Sequence, residues 1–371
     1  MDKPLADIKD LTMNLRRQSI PVFFIGSSNC VDQMCVAMAS LLDNTESLID
    51  FYIIDCDLTS SDKKAIEGMR SNFQDAWNSI EFIKVDIEKE FSGCSRWKGY
   101  LDTWARSLIP NLKPELPRAI YLDSDFLIYG DIKSLYEQNI APEYALAAVP
   151  DIGYIVSKDS WAHAKNLDSR HDYFASGMLL FNCDKYREVG ALEKIKEAGR
   201  KLKPFFCEQD AMNTVFDKNN YQKLKWRFHL RDINIEPLSD TKEAAYHEIK
   251  NEWQHVVCQH LTHRKPWLTM RNDYNNKILQ GFSDFWRYAA MTPHVEALKL
   301  KLMRNLSFTK IMTIRKKYFL GMIPVRIKIT VDGAYSILGI ESKFMGDSLL
   351  FVAVKKMFFF NNPIWKGVSH G

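Results

Sequence analysis

An α/β fold built on a mainly parallel sheet is what this sequence predicts, and three observations carry the prediction. Short apolar runs rich in Ile, Val and Phe recur in the N-terminal part: IPVFFIG at 20–26, DFYIIDC at 50–56 and IEFIKVD at 80–86. Helix-like stretches separate them, VDQMCVAMASLL at 31–42 and, in part, SSDKKAIEGMRS at 60–71. Strands alternating with helices make βαβ units. The 371 residues are 46% hydrophobic and 26% charged, enough apolar material for one large domain or two smaller ones.

The remaining elements follow in order. A helix is expected near 100–110, a strand at 119–122, and a helix at 131–138 that Asp131 can cap. YALAAVP (144–150) and GMLLFN (177–182) are further strand candidates. A polar helix over 184–202 precedes an amphipathic one after Pro204 that contains CEQDAMNTVF, and WRFHL and HVVCQHL read as strands. The charge balance flips near Met291-Thr292-Pro293. That suggests an N-terminal extension (1–19), a main domain (20–292) and a C-terminal subdomain (293–371).

Seven cysteines are scattered at 30, 35, 56, 94, 183, 207 and 258, none with CxxC spacing. An odd number without metal-ligand spacing argues against a disulfide framework or a zinc site and fits a reducing compartment. The N-terminal segment lacks the apolar core of a signal peptide. No stretch of about 18 uncharged apolar residues exists to span a bilayer. A cytoplasmic location is the expectation. From Ala297 onward, thirteen Lys or Arg face three acids, a surplus of +10 within a chain of net +4, so the residues before it carry −6. Such asymmetry points the tail toward an anionic surface.

The run AIYLDSDFLIYGD (119–131) places Asp123 and Asp125 beside a buried strand. Side chains at i and i+2 of a strand share a side, so the two carboxylates repel unless a cation stands between them. In an open parallel sheet, ligands bind at the carboxyl ends of the strands. Both Phe24-Ile25-Gly26-Ser27-Ser28-Asn29 and Leu122-Asp123-Ser124-Asp125 lie at such ends. A turn or helix cap would explain D-x-D equally well on its own.

Four blocks in order change that balance: YLDSDFLIYGDIKSLYE, YFASGMLLFNCDKYRE, CEQDAMNTVF and HLTHRKPW. Together they resemble family 8 of the retaining glycosyltransferases, in the pattern of the bacterial lipopolysaccharide and lipooligosaccharide galactosyl- and glucosyltransferases. The resemblance covers roughly residues 20–270. It implies a GT-A fold, a Rossmann-like mixed sheet flanked by helices, and a UDP-hexose donor with Mn²⁺ or Mg²⁺. Asp123, Asp125 and His260 are then the metal ligands, and an imidazole among carboxylates favours Mn²⁺.

The resemblance also assigns roles to other positions. Gly26, Ser27 and Asn29 lie in the nucleoside loop, and Arg106, Ser124, Ser176 and Lys265 on the donor, with Lys265 reaching the diphosphate. Gln209 stands at the β-face of the anomeric carbon, Glu208 is the acid beside it, Asp210 fixes sugar hydroxyls or backbone, and Asp151 is an acceptor-side acid. Glutamine is a poor nucleophile, so front-face attack is favoured, with Glu208 the candidate for a covalent route. Three departures touch donor binding. Ser27 and Ser28 replace acids that often meet uracil, Ala175 stands where Asn is common, and His263 where Gly is usual.

The expected activity is hexosyl transfer to a lipid-linked surface glycan such as lipopolysaccharide core. A protein-directed or self-glycosylating transferase, or a nucleotide-sugar-binding protein without turnover, are the alternatives. The tail interleaves cations with Leu, Ile, Met and Phe, alternates like a hairpin around Asp332-Gly333, and ends in MFFF and Trp365. It reads either as a docking surface for anionic inner-leaflet lipid or as a subdomain with a solvated basic face. No RNA-binding motif accompanies it, so no nucleic-acid partner is expected.

Overall fold

The computed structural model describes residues 19–156, 172–201, 207–216, 220–231, 244–262, 265–268 and 281–305, together with five short strands between 316 and 343. The chain divides into two compact units, Met1–His263 with Met291–Pro293, and Arg264–Ala290 with His294–Gly371.

The first unit holds a seven-stranded sheet. Strands β1 (Ser19–Gly26), β2 (Leu48–Asp55), β3 (Trp77–Lys84) and β4 (Arg118–Leu122) correspond to the first four expected runs. Their neighbours are β6 (Leu146–Ala148), β7 (Met178–Asn182) and β8 (Gln222–Lys223), in the order β3-β2-β1-β4-β7-β6-β8. All run parallel except β7, which opposes both β4 and β6. β1 is buried along its length save for Ser19, as a strand covered on both faces must be. Helix α1 (Val31–Asp43) makes the crossover from β1 to β2. After β2, helix α2 (Ser60–Gly68) begins with a capping box, in which the Thr59 hydroxyl accepts from Asp62 N and the Asp62 carboxylate from Thr59 N.

Because β2 and β4 flank β1 on opposite sides, the carboxyl edge between β1 and β4 is a topological switch point, where α/β sheets open a crevice. The reversed β7 brings its amino end to that same edge, since Leu122 pairs with Met178. A second, three-stranded sheet has the spatial order β5-β10-β9: β5 (Phe126–Ile128), β10 (Cys258–His260) antiparallel to it, and β9 (Leu230–Arg231) parallel to β10.

Local departures from the sequence reading have physical causes. The polar helix expected over 184–202 is two helices, α3 (Cys183–Glu188) and α4 (Ala191–Lys201), split where Gly190 takes φ +63°. The 100–110 segment is a 3₁₀ helix (Asp102–Leu108) followed by one turn at Ile109–Leu112. Of WRFHL only Leu230 is strand, paired with the following Arg231 in a two-residue element. Helix α5 (Glu208–Val215) is where the amphipathic helix was expected. All seven cysteines are free thiols. No described helix is long and apolar enough to cross a membrane.

In the second unit, Trp267 packs on Phe285, 5.0 Å between ring centroids. Its helices include α6 (Gly281–Ala289) and α7 (Val295–Asn305). Strands β11 (Lys316–Phe319) and β12 (Ile323–Val325) pair antiparallel. β13 (Ile327–Ile329) pairs antiparallel with β14 (Ala334–Ile337), which pairs with β15 (Ile340–Lys343). The antiparallel β13–β14 pair lies where the hairpin was expected; Asp332-Gly333 fall outside the described residues, as do His263, the MFFF run and all of the extension 1–19 except Ser19.

Gly26 closes β1 in a space with no room for a side chain. A β-carbon there would stand 2.7 Å from Ile53 Cγ2 and 2.8 Å from Leu58 Cδ1. Gly26→Ala is expected to cost about 1–3 kcal/mol by overpacking, read as a lower urea midpoint. An unchanged midpoint would show that the neighbours yield freely.

Candidate active site

Asp123 and Asp125 do converge, but strand alternation is not the reason. β4 ends at Leu122, and the two acids occupy the turn into β5. Backbone bonds pin that turn at both ends: Asp123 N donates to Gly177 O at 2.8 Å, and Leu261 N to Asp125 O at 2.9 Å. Antiparallel pairing sets His260 opposite Phe126, and the two rings stack at 4.4 Å. His260 Nε2 thereby reaches Asp125 Oδ1 at 2.9 Å and Asp123 Oδ2 at 3.7 Å. One ligand atom from each of the three residues lies within 4.8 Å of the others.

This donor set fits a divalent cation. Two carboxylate oxygens and an imidazole nitrogen suit Mn²⁺ or Mg²⁺. Space is kept open as well. A β-carbon on Gly177 would stand 2.8 Å from Asp123 Oδ2 and 2.7 Å from His260 Cε1, so glycine is the residue that leaves this cradle unfilled.

Arg106 sits at the centre of the arrangement, 5% exposed. Its Nη2 lies 2.9 Å from Asp123 Oδ1. Nη1 donates to Ser176 O (2.8 Å) and Ser176 Oγ (2.9 Å) and lies 3.5 Å from Glu208 Oε1. Nε donates to Thr103 O at 3.0 Å, and the guanidinium stacks 4.8 Å over Tyr121, whose hydroxyl donates to Asp123. Burial alone would push the guanidinium pKa down, but Asp123 and its neighbours raise it above the ordinary value, so Arg106 stays charged. Burial raises the Glu208 carboxyl, and Arg106 counters that rise.

Helix α5 delivers Glu208, Gln209 and Asp210 from a strained start: buried Cys207 has φ +46° and ψ −117°. Every polar atom of the Gln209 amide is engaged. Its Nε2 donates to Asp151 Oδ2 (3.0 Å) and the Tyr173 hydroxyl (3.1 Å), and its Oε1 accepts from Ser176 N (2.9 Å). Tyr173 in turn donates to Asp210 at 2.5 Å. Asp151 Oδ1 accepts from Gly153 N at 2.7 Å and from Arg231 Nη1. Asn213 clamps Phe174 through both backbone polar groups. Ala175 N bonds Val149 O, while Ser176 supplies the side-chain contacts of that block.

The loop after β1 is tied to acids elsewhere. Ser28 N donates to Asp57 Oδ1 at 2.8 Å and Ser28 Oγ to Asp62 Oδ2 at 3.2 Å. Burial, then Asp57, raises the Asp102 carboxyl. Two carboxylates, one from α2 and one from its preceding loop, therefore border the loop after β1. Ser27 and Ser124 both contact the Cys30 side chain, joining this loop to the D-x-D turn, and Asn29 O accepts from Gln33. Lys265 belongs to the second unit, where its Nζ lies 5.5 Å from the Trp267 ring.

Sequence reasoning missed Tyr121, Tyr173, Gly177, Asn213, His229 and Arg231. Tyr121, Tyr173, Gly177 and Asn213 lie inside or beside the quoted blocks, which was a usable signal. His229 and Arg231 lie in no motif.

Comparison with known proteins gives a consistent result. The profile of glycosyl transferase family 8 matches residues 21–271. A Haemophilus influenzae protein provisionally described as a glycosyltransferase is 26% identical over 302 residues, 78% of this chain and 88% of that one. Glycosyltransferase GlyB of Streptococcus pneumoniae is 25% identical over 264 residues, 68% of this chain and 58% of GlyB. Galactosyltransferase LgtC, solved with donor and acceptor sugar analogs, superposes with a TM-score of 0.61 at 21% identity, over 76% of this chain and 100% of LgtC. The bifunctional WbbM structure gives 0.64 at 18% identity, over 77% of this chain and 52% of that one. The shared fold is GT-A.

Arg106→Met should leave Asp123 and Glu208 without their counter-charge and cost about 3–5 kcal/mol of stability. Glu208, already raised above 4.5 by burial, would rise further. A carboxyl whose folded pKa exceeds its unfolded one stabilises the fold below the unfolded value and loses that contribution as pH climbs through the folded one. The deficit should thus be larger at neutral pH than near 4.5 in urea titrations. Equal deficits at both would refute the neutralising role.

Proposed function

The chain belongs to glycosyl transferase family 8 and is a glycosyltransferase, and on that premise we propose a retaining hexosyltransferase that moves galactose or glucose from a UDP-sugar to a lipid-linked surface glycan such as lipopolysaccharide core. The observation that carries this reading is the convergence of Asp123, Asp125 and His260 at the switch-point edge, beside the loop that ends β1. These three residues would hold Mn²⁺ or Mg²⁺. When bound, such an ion supplies Lewis-acid stabilisation of the departing diphosphate.

The chain's own groups do the rest. Arg106 acts on the donor through Asp123 and Ser176, whose positions it fixes. Gly26, Ser27, Asn29 and Ser124 border the nucleoside end. The Gln209 amide is held between Asp151, Tyr173 and Ser176 and presents a fixed dipole rather than a nucleophile. Glu208 is turned toward Arg106 and buried. That arrangement favours front-face attack, in which the leaving phosphate oxygen takes the acceptor's proton. Asp210 orients Tyr173, and Asp151 lies on the acceptor side.

Incubation with UDP-galactose or UDP-glucose and Mn²⁺ should release UDP, and Asp125→Ala should reduce the rate at least about 100-fold. Release that is equally fast in Asp125→Ala or in excess chelator would overturn the metal reading. For the C-terminal subdomain, the proposal is peripheral attachment to anionic lipid at the inner membrane face. Full-length protein should co-sediment with phosphatidylglycerol vesicles and be released by salt. Replacing Lys316 and Lys317 by Gln should weaken binding by roughly 2 kcal/mol, about thirtyfold. Salt-insensitive partitioning would remove the membrane from the proposal.

A further inference from the structure

Behind His260, on the side away from the carboxylates, stands a second imidazole. His229 Nε2 lies 2.9 Å from His260 Nδ1. His229 is 2% exposed and directly precedes β9, whose parallel pairing with β10 (Leu230 with Gln259, Arg231 with His260) fixes its approach. Phe126 closes this corner, with its ring 4.4 Å from that of His260 and 5.0 Å from that of His229. Among the described residues, His229 Nδ1 has no hydrogen-bond partner.

A hydrogen bond between two imidazoles contains one proton, and the direction it points decides what the outer nitrogens can do. A histidine that ligates through Nε2 needs a lone pair there, so its proton must sit on Nδ1. His260 Nδ1–H then donates to His229 Nε2, and the remaining proton of His229 resides on Nδ1. We propose that His229 is the positioning residue of the metal site: it accepts the Nδ1 proton of His260 and so fixes the ring and tautomer that aim the Nε2 lone pair between Asp123 and Asp125. This rests on the reading of Asp123, Asp125 and His260 as metal ligands. Ligating histidines ordinarily give their second N–H to a carboxylate, a carbonyl or water. Here a buried neutral ring takes that place, which adds no negative charge to the site.

The test is Mn²⁺ affinity of the full chain by calorimetry, without donor or acceptor. His229→Phe keeps the ring volume and removes the acceptor, and should weaken Mn²⁺ binding about 10- to 100-fold. His229→Gln, whose side-chain oxygen can stand where Nε2 stood, should restore most of it. A purely structural role would lower thermal stability in both variants without this split. Folded His229→Phe binding Mn²⁺ as tightly as wild type overturns the proposal while leaving the metal site intact. Wild-type protein that binds no Mn²⁺ overturns the ligand reading and this proposal with it. Should His229→Phe not fold, ¹⁵N spectra of Mg²⁺-loaded wild type report the tautomers directly. Protons on Nδ1 of both rings support the assignment, and a proton on His229 Nε2 overturns it.

Discussion

One buried guanidinium organises the catalytic edge. Arg106 binds its own 3₁₀ segment at Thr103, the D-x-D turn at Asp123, the segment before β7 at Ser176, and the first turn of α5 at Glu208. A cation with so little exposure is tolerable only because carboxylates and carbonyls surround it, and those carboxylates are tolerable only because of it. The four segments are far apart in sequence and have no secondary structure in common. Mutual electrostatic need holds them in register, and it does so at the carboxyl edge of the seven-stranded sheet. A lysine would keep the charge but not the planar fork that spans these acceptors.

Much of this was legible in the sequence, and the reasons differ by element. β1, β2 and β4 announced themselves because parallel strands covered on both faces must be apolar throughout. The convergence of the D-x-D acids could be read from the sequence even though the supporting geometry was misread: they meet in a turn held by Gly177 and Leu261, not along a strand. The break at Gly190 was hidden because the stretch holds two glycines, and Gly199 lies within a helix while Gly190 ends one. Burial of Arg106 could not be inferred either, since its helix reads equally well as ordinary amphipathic packing.

His229 marks the limit more sharply. WRFHL is an apolar run with one histidine, and nothing in it points thirty residues onward to His260. Only the parallel β9–β10 pairing brings the two rings together. Likewise the carboxylates near Ser28 come from Asp57 and Asp62, twenty-nine and thirty-four residues further on, which nothing in the loop's own sequence indicates.

The D-x-D turn is fastened to two sheets at once. Asp123 hangs from the seven-stranded sheet through Gly177, while Asp125 hangs from the three-stranded one through Leu261, and His260 rides on the latter. The triad of Asp123, Asp125 and His260 is therefore a seam rather than a pocket cut into one rigid body. Sliding one sheet past the other by an ångström or so would pull the oxygens out of mutual reach without unfolding either. On the proposed reading, grip on a cation would gauge how well the two sheets are docked, and a bound ion would act in return as a rivet between them.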